Sequence, residues 1–201
     1  MAIDFDELWA TLDASLKTPG SLKENMSRLL QYGQNEVPDK LWAALQKIDY
    51  EADVPTVVEW LEHVFTRQFP REDIIGLYFG TEEIWHNVDR VGQGIFMVGS
   101  LVFDAEDTEW VSAATYEPQP RNIKCDSMEE AHLTLDAEGD NNSVRSDAQY
   151  VVILCYAAHL VQSCLRQLAA RPEYQGLHGK NVVVGFGRSG DFFYLGKIGS
   201  M

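Results

Sequence analysis

The chain of 201 residues is poor in basic side chains. Lysine and arginine total 16 against 31 aspartates and glutamates, which gives a formal net charge of −15 at pH 7. A protein with this charge repels nucleic acid and anionic membranes and attracts basic partners. Most of the excess lies in residues 74–147, where 15 acidic and 4 basic side chains give a net charge of −11, whereas residues 148–201 have a net charge of +3.

Cysteine is also scarce, with three in the whole chain. Cys155 and Cys164 are nine residues apart on one predicted helix, about 13 Å along its axis, which no disulfide spans. We expect the cysteines to be small core hydrophobes of a protein in a reducing compartment. The N-terminal residues show no basic and apolar leader segment, so a cytoplasmic location is the expectation.

Motifs for metal binding are missing. The five histidines form neither an H-x-x-x-H nor an H-E-x-x-H pattern, and no C-x-x-C pair occurs, so the sequence supports no zinc site. Residues Asp136–Asp147 place oxygen side chains at alternate positions, as an EF-hand calcium loop does. However, Asn141 stands where that loop needs glycine, and the Asp147 side chain is too short for the bidentate ligand. We therefore expect a solvated acidic loop.

The run from Gly185 to Gly190, GFGRSG, matches the G-x-G-x-x-G pattern of dinucleotide-binding turns. That site requires a following helix and an acidic residue about twenty positions further on. Only eleven residues follow Gly190, and their pattern is that of a strand. The glycines therefore predict a hairpin turn, and we expect no cofactor.

What the chain does contain is a long apolar segment, Asp147–Arg171. Its middle is hydrophobic on nearly every face, which predicts a buried central helix that the rest of the chain surrounds. Ser146 and Gln149 form a capping-box pattern at its start, and Pro172 follows its end. The apolar part is too short and, with residues such as His159, too polar to cross a bilayer.

Before residue 74, apolar side chains at helical spacing predict four short amphipathic helices. Their starts are marked by Asp4, by Ser21 with Glu24, by Pro38, and by Asp53 or Thr56. After residue 74 the pattern predicts five strands, at Ile74–Gly80, Ile95–Phe103, Glu109–Glu117, Asn181–Gly187 and Asp191–Ile198. It also predicts a short helix at Thr81–Arg90, a turn at Gly92–Gly94, and a hairpin between the second and third strands. A further helix is predicted through Leu135, capped by Ser127 with Glu130.

The predicted fold class is α+β: four short N-terminal helices, a mainly antiparallel sheet of about five strands, and one long buried helix packed on it. No stretch has the composition of a flexible linker. We therefore expect one globular unit over residues 1–201, with a helical part at 1–73 and an α+β part at 74–201.

Cys155 and His159 share a face of the central helix and could form a thiolate–imidazole pair. Their neighbours are apolar, whereas a reactive cysteine needs an electropositive and partly exposed site. A core thiol and a core histidine are therefore the favoured interpretation. A histidine with only that role should be replaceable by leucine without loss of stability.

One acidic turn is a candidate binding site, formed by Asp104, Glu106, Asp107 and Glu109 and followed directly by Trp110. An aromatic anchor surrounded by carboxylates suits the docking of a basic protein surface. Trp110 could equally be the first core residue of the third strand.

Two functional classes remain. The first is an acidic protein-binding module, such as an inhibitor or immunity-type protein, that captures a basic protein partner. The second is an enzyme whose site is assembled from residues distant in sequence, with His159, Cys155 or the acids of the middle segment as candidates. No linear catalytic motif supports the enzyme, so binding is the preferred hypothesis, and we assign no catalytic, cofactor-binding or metal-ligating residue.

Overall fold

The structure is a computed structural model that describes residues 5–18, 20–86, 89–138, 148–187 and 191–201. Its α-helices are α1 (Phe5–Lys17), α2 (Leu22–Glu36), α3 (Lys40–Leu45), α4 (Asp53–Arg67), α5 (Asp126–Glu138) and α6 (Cys155–Ala169). Its strands are β1 (Gly76–His86), β2 (Asp89–Ser100), β3 (Asn122–Lys124), β4 (Asn181–Phe186) and β5 (Phe192–Lys197). Short 3₁₀ helices occupy Glu109–Ala113 and Pro172–Leu177.

The predicted central helix is present and buried. A π-helical turn, Tyr150–Leu154, leads directly into α6, whose residues from Cys155 to Gln162 are all buried. Helices α1, α2 and α4 pack on it from one side, and strands β4 and β5 pack on it from the other. The predicted capping position Ser146 and the first residue Asp147 lie outside the described residues.

The four N-terminal helices are confirmed in number and order. Ser21 and Glu24 form the predicted capping box, since the Ser21 hydroxyl accepts from the Glu24 N–H at 3.2 Å and Glu24 accepts from the Ser21 N–H at 2.9 Å. The start predicted for α4 is less accurate, because Ala52 is the capping residue and no side chain caps that helix. The predicted marker Asp4 lies outside the described residues.

The described strands form one mixed sheet in the order β3-β2-β1-β4-β5. Strands β1 and β4 are parallel, and the other neighbours are antiparallel, so the sheet is mainly antiparallel as predicted. The predicted hairpin of the last two strands is confirmed by the pairing of Gly185 with Phe192. No helix follows β4 in the described residues; positions 188–190 lie outside them.

The sheet has two apolar faces because side chains alternate along its strands. Leu77, Phe79, Ile95, Met97, Val182 and Val184 face the helices and belong to the main core. Tyr78, Phe96, Val98 and Val183 face the other way and form a second core with Trp110 and Val111. Gly185 lies where β4 passes Tyr78, and a Cβ atom there would come within 2.0 Å of the tyrosine oxygen. Only glycine allows this approach.

The short helix predicted at Thr81–Arg90 is wrong. Strand β1 continues to His86, which pairs with Asp89 of the antiparallel strand β2. The glycines predicted as a turn lie inside β2. A Cβ atom at Gly94 would come within 2.1 Å of the Ile123 carbonyl oxygen, so glycine is needed there for β3 to approach.

The strand predicted at Glu109–Glu117 is also wrong, and with it the hairpin that would join it to β2. Residues Glu109–Ala113 form a 3₁₀ turn, and the backbone pairing of the predicted segment with the sheet, among the described residues, is one isolated bridge between Tyr116 and Gly99. The neighbouring residues Trp110 and Val111 are both buried in the second core. A regular strand would point them to opposite faces, so the turn is what allows both to be buried. The neighbour of β2 is instead β3.

Asp53 joins three helices at a buried point. Its carboxylate accepts the N–H of Ser127 in the first turn of α5, at 3.1 Å, and the hydroxyl of Tyr156 on α6, at 2.7 Å. The Ser127 hydroxyl donates to the carbonyl of Asp49 at 2.8 Å, so Ser127 does not cap α5 as predicted. Asp53 is 4% exposed, and the free N–H groups at the start of α5 are the polar partners that a buried carboxylate needs.

We expect Asp53→Ala to lower the free energy of unfolding by about 2 to 3 kcal/mol, because the buried N–H of Ser127 loses its acceptor and the Tyr156 hydroxyl keeps only the Tyr50 carbonyl at 3.1 Å. Urea denaturation measures this. The control is Asp126→Ala, which removes an exposed carboxylate paired with Lys124 and should cost less than about 1 kcal/mol. Equal losses for the two variants would contradict a special role for Asp53.

Candidate functional site

The acidic turn does not present Trp110 to solvent. The indole is 6% exposed, donates its N–H to the carbonyl of Asp104 at 3.1 Å, and makes edge contacts with Tyr78 and Phe103 at centroid distances of 6.1 and 5.6 Å. Of the two interpretations of Trp110, the core residue is the one that the structure has, although in a 3₁₀ turn and not in a strand. The turn therefore lacks the aromatic anchor that made it a candidate.

The four carboxylates of the acidic turn are exposed, and two of them shape its backbone. Asp104 accepts the N–H of Glu106, and Asp107 accepts the N–H of Glu109, both at 2.8 Å. Such bonds are common in turns and need no ligand. The structure thus brings all five predicted binding residues together, with the acids outside and the tryptophan inside.

The exposed tryptophan is at another place, on the hairpin formed by β1 and β2. Strand β1 pairs with β4 only as far as Thr81, and β2 pairs with β3 only at Gly94–Phe96, so the described residues 82–86 and 89–93 extend beyond the rest of the sheet. Trp85 near the end of this hairpin is 56% exposed, and Val91 is 42% exposed. The acidic side chains of Glu83 and Asp89 are exposed on the same hairpin. We call residues 82–93 the hairpin arm.

A cleft of about 270 Å³ opens at the base of the hairpin arm. It lies where the parallel strands β1 and β4 end, which is where open sheets with parallel strands commonly bind ligands. Its polar lining consists of Thr81, Glu82, Glu83, Gln93, His132 and Gln149. We call this cavity the acidic cleft.

The carboxylates near the acidic cleft have neighbours that carry or can carry positive charge. Glu82 accepts from Arg121 at 3.2 Å and from Asn122 at 2.6 Å, and the Arg121 guanidinium lies 5.3 Å from the centre of the Phe96 ring. His132 lies 3.5 Å from Asp136 one turn further along α5. A guanidinium therefore balances Glu82, and Glu83 is the exposed carboxylate of the cleft lining.

The wall opposite the strands is the start of the central helix. Gln149 and Ile153 line the cleft, and Ile153 belongs to the π-helical turn. Such turns occur mostly as single insertions in α-helices and are frequent at functional sites. Glu82, Glu83 and Trp85 were missed from the sequence because their segment was assigned to a helix. Apolar and polar side chains do not alternate in Thr81–His86, where Ile84 and Trp85 are adjacent, so this segment carries no local signal for a strand.

His159 does not pair with Cys155. Its Nε2 atom lies 2.9 Å from the hydroxyl of Ser15 on α1, and its Nδ1 atom lies 3.4 Å from the side-chain amide nitrogen of Asn25 on α2. Cys155 is buried, and burial raises the pKa of its thiol well above the usual value. A thiol held protonated in this way is a poor nucleophile, so the structure gives no support to these two residues as a catalytic pair.

The hydrogen bonds determine the form of the His159 ring. Ser15 donates its hydroxyl hydrogen to the carbonyl of Leu12 at 2.8 Å, so it must accept the hydrogen of His159 Nε2. Nδ1 is then unprotonated and accepts from the Asn25 amide. A histidine activates a serine by accepting its hydroxyl hydrogen. Here Ser15 is instead the acceptor of the hydrogen bond, so it is not an activated nucleophile. Burial, and next to it the charge of Arg166, lowers the pKa of His159 from 6.5 to about 4.

No group of three histidine, cysteine or acidic side chains suited to a metal comes together in the part of the chain that the structure describes. Most of the EF-hand-like segment, residues 139–147, lies outside that part; Asp136 belongs to α5. Contrary to the prediction, Val152–Ala169 is long and apolar enough to cross a membrane by length and composition, with a mean hydropathy of 1.2. However, 78% of this stretch is buried inside the protein, as in the core helix of a soluble fold.

No family model matches the chain, and neither a curated protein nor a solved structure matches it. The acidic cleft and the hairpin arm are therefore interpreted from their own geometry.

Stability measurements on two variants test whether Trp110 is a core residue and Trp85 a surface residue. Trp110→Ala should lower the free energy of unfolding by about 3 to 5 kcal/mol, because it removes a large buried ring from the second core. Trp85→Ala should change it by no more than about 0.5 kcal/mol, because the ring is exposed. Urea denaturation of both variants measures the difference. A similar loss for both would show that Trp85 is also a core residue.

The neutral form of His159 predicts a pH dependence of stability. Between pH 6.5 and about 4 the unfolded chain binds a proton that the folded chain does not, so the folded state loses stability as the pH falls through this range. The loss from this residue is about 3 kcal/mol. His159→Gln removes it, and urea denaturation from pH 7 to pH 4 should show the difference between parent and variant shrinking as the pH falls.

The control for this measurement is His178→Gln, which replaces an exposed histidine. Its difference from the parent should not follow the same curve. At pH 7, His159→Leu should destabilise the protein, because it leaves the Asn25 amide without its acceptor. This reverses the expectation from sequence that leucine would be tolerated, and a fully stable leucine variant would contradict the network.

Proposed function

We propose that this chain is an acidic cytoplasmic protein-binding module that captures a basic protein partner, in the manner of an inhibitor or immunity-type protein. The observation that carries the proposal is the 56% exposed side chain of Trp85 on an acidic hairpin arm. Large aromatic side chains supply much of the energy at protein interfaces, and a tryptophan left in water costs solvation energy that a partner would recover.

Charge supports a basic partner. Three acids and one base lie in the hairpin arm, and residues 74–147 as a whole have a net charge of −11. An acidic surface accelerates the approach of a basic one and repels acidic proteins. In this proposal the carboxylates of the acidic turn, Asp104, Glu106, Asp107 and Glu109, contribute to steering at a distance, whereas Trp85 makes the central contact.

The acidic cleft gives the partner a place for one basic side chain. Glu83 belongs to both the hairpin arm and the cleft lining. The volume of about 270 Å³ is small for a drug-sized ligand, but it suits the end of a lysine or arginine side chain. A partner that covers Trp85 and places a basic side chain beside Glu83 would contact both features at once.

The first experiment is a pull-down with the tagged chain from a lysate of the source cell at low and at high salt, read by mass spectrometry. A basic protein held at low salt and lost at high salt is expected, since salt screens exposed charges. With that protein purified, calorimetry should show that Trp85→Ala weakens binding by about thirtyfold or more, the loss typical of a central aromatic contact. Glu83→Lys should slow association and reduce its salt dependence.

The matched control is the triple change Asp104→Lys, Glu106→Lys and Asp107→Lys, which reverses charges on the acidic turn without touching the hairpin arm. It should reduce the rate of capture and leave the thermal midpoint almost unchanged. If this triple variant abolishes binding while Trp85→Ala does not alter it, the acidic turn is the docking site. If no basic protein is captured by the parent chain, the proposal is wrong.

A further inference from the structure

A second cavity lies between the start of α2 and the face of α6, further along the central helix than the acidic cleft. Its volume is about 220 Å³, and its polar lining consists of Asn25, His159, Gln162, Ser163, Arg166 and Gln167. Among the described residues, no acidic side chain lines it. The α6 side of the cavity comes from residues 148–201, which have a net charge of +3.

One buried polar atom next to this cavity has no partner in the part of the chain that the structure describes. Asn25 is 5% exposed, its amide nitrogen donates to His159, and its Oδ1 atom has no donor within reach. The His159 tautomer argued above excludes the flipped amide, because Nδ1 needs a donor there. Oδ1 lies beside the cavity-lining Gly20, where an added Cβ atom would come within 2.8 Å of it. A buried acceptor without a donor is costly and indicates a missing ligand or water.

Arg166 contributes hydrogen-bond donors and a positive charge to the same cavity. Its side chain lines this cavity, and its guanidinium makes one long contact, 3.5 Å to the carbonyl of Leu16. No carboxylate lies within ion-pair distance of it among the described residues. The same side chain borders two neighbouring cavities of about 310 and 250 Å³. A guanidinium with open donors is well suited to a carboxylate or a phosphate.

We propose that this cavity binds a small anion that also carries a hydroxyl or an amide N–H. The anionic group, a carboxylate or a phosphate monoester, contacts Arg166, and the hydroxyl or N–H donates to Asn25 Oδ1. An ammonium group would find no charge partner in the lining. The nearest carboxylate by contact is Glu24, which is held in the capping box by the Ser21 N–H at 2.9 Å.

The test uses the full chain labelled with nitrogen-15 and four simple probes in NMR titrations. Glycolate carries a carboxylate and a hydroxyl, and acetate carries the carboxylate alone. Glycerol 3-phosphate and inorganic phosphate make the corresponding pair for a phosphate. We expect saturable shifts of the Asn25 side-chain amide and the Arg166 guanidinium with the hydroxyl-bearing probe of one pair. The other probe of that pair, acetate or inorganic phosphate, lacks the alcohol hydroxyl. It should bind about fivefold more weakly, which is the effect of one lost hydrogen bond.

Two variants locate the binding. Arg166→Gln removes an exposed positive charge and should weaken binding about tenfold or more, because it removes a charge-assisted contact. Gly20→Ala places a methyl group against Asn25 Oδ1 and should also weaken it. The control is Lys47→Gln, which removes an exposed positive charge that lines none of these cavities and should leave the affinity unchanged.

The proposal is overturned if no probe gives saturable shifts at Asn25 and Arg166 in the millimolar range. It is also overturned if Arg166→Gln binds as the parent does, since the anion then binds without Arg166. Because Arg166 is exposed, this variant tests the proposal even where Gly20→Ala fails to fold. The choice between the carboxylate and the phosphate pair identifies the class of anion.

Discussion

The buried carboxylate of Asp53 constrains the rest of the structure. A charge removed from water is tolerated only with strong partners, and here those partners are the start of α5 and a tyrosine of α6. His132 lies five residues after Ser127, and Ile153 lies three residues before Tyr156. Residues on both walls of the acidic cleft are thus within about two helical turns of the groups that Asp53 holds, so this carboxylate helps to fix the position of both walls.

The helices could be predicted from the sequence because each has one apolar stripe and local end signals. The strands were harder, since their positions depend on contacts that are distant in the chain. Gly92 and Gly94 look like a turn locally, yet Gly94 is a glycine because Ile123 passes close to it. Strand β3 has only three residues and no apolar run, so it exists through pairing with β2 and not through its own composition. The predicted number of strands was confirmed although one of the five segments was different.

The exposure of the tryptophans in the candidate site also depends on contacts between distant parts of the chain. Trp85 and Trp110 both follow acidic residues, and no local pattern separates the exposed one from the buried one. Trp110 is buried because residues 101–114 cross the second face of the sheet and fill it with Phe103 and Trp110. Trp85 is exposed because β1 continues past the end of β4. Burial of each ring is therefore a property of the topology, which the sequence pattern alone does not contain.

The central helix separates two surfaces of opposite character. Ile153 borders the acidic cleft, and Arg166 borders the cavity with the unpartnered Asn25 oxygen. Thirteen residues of helix, about 20 Å, lie between them, and substitutions at that distance usually have additive effects. A change at Trp85 or Glu83 should therefore act on partner capture without altering anion binding, unless the helix itself moves. The π-helical turn beside Ile153 is the one irregular element in its described length, and it is there that any coupling between the two surfaces would have to begin.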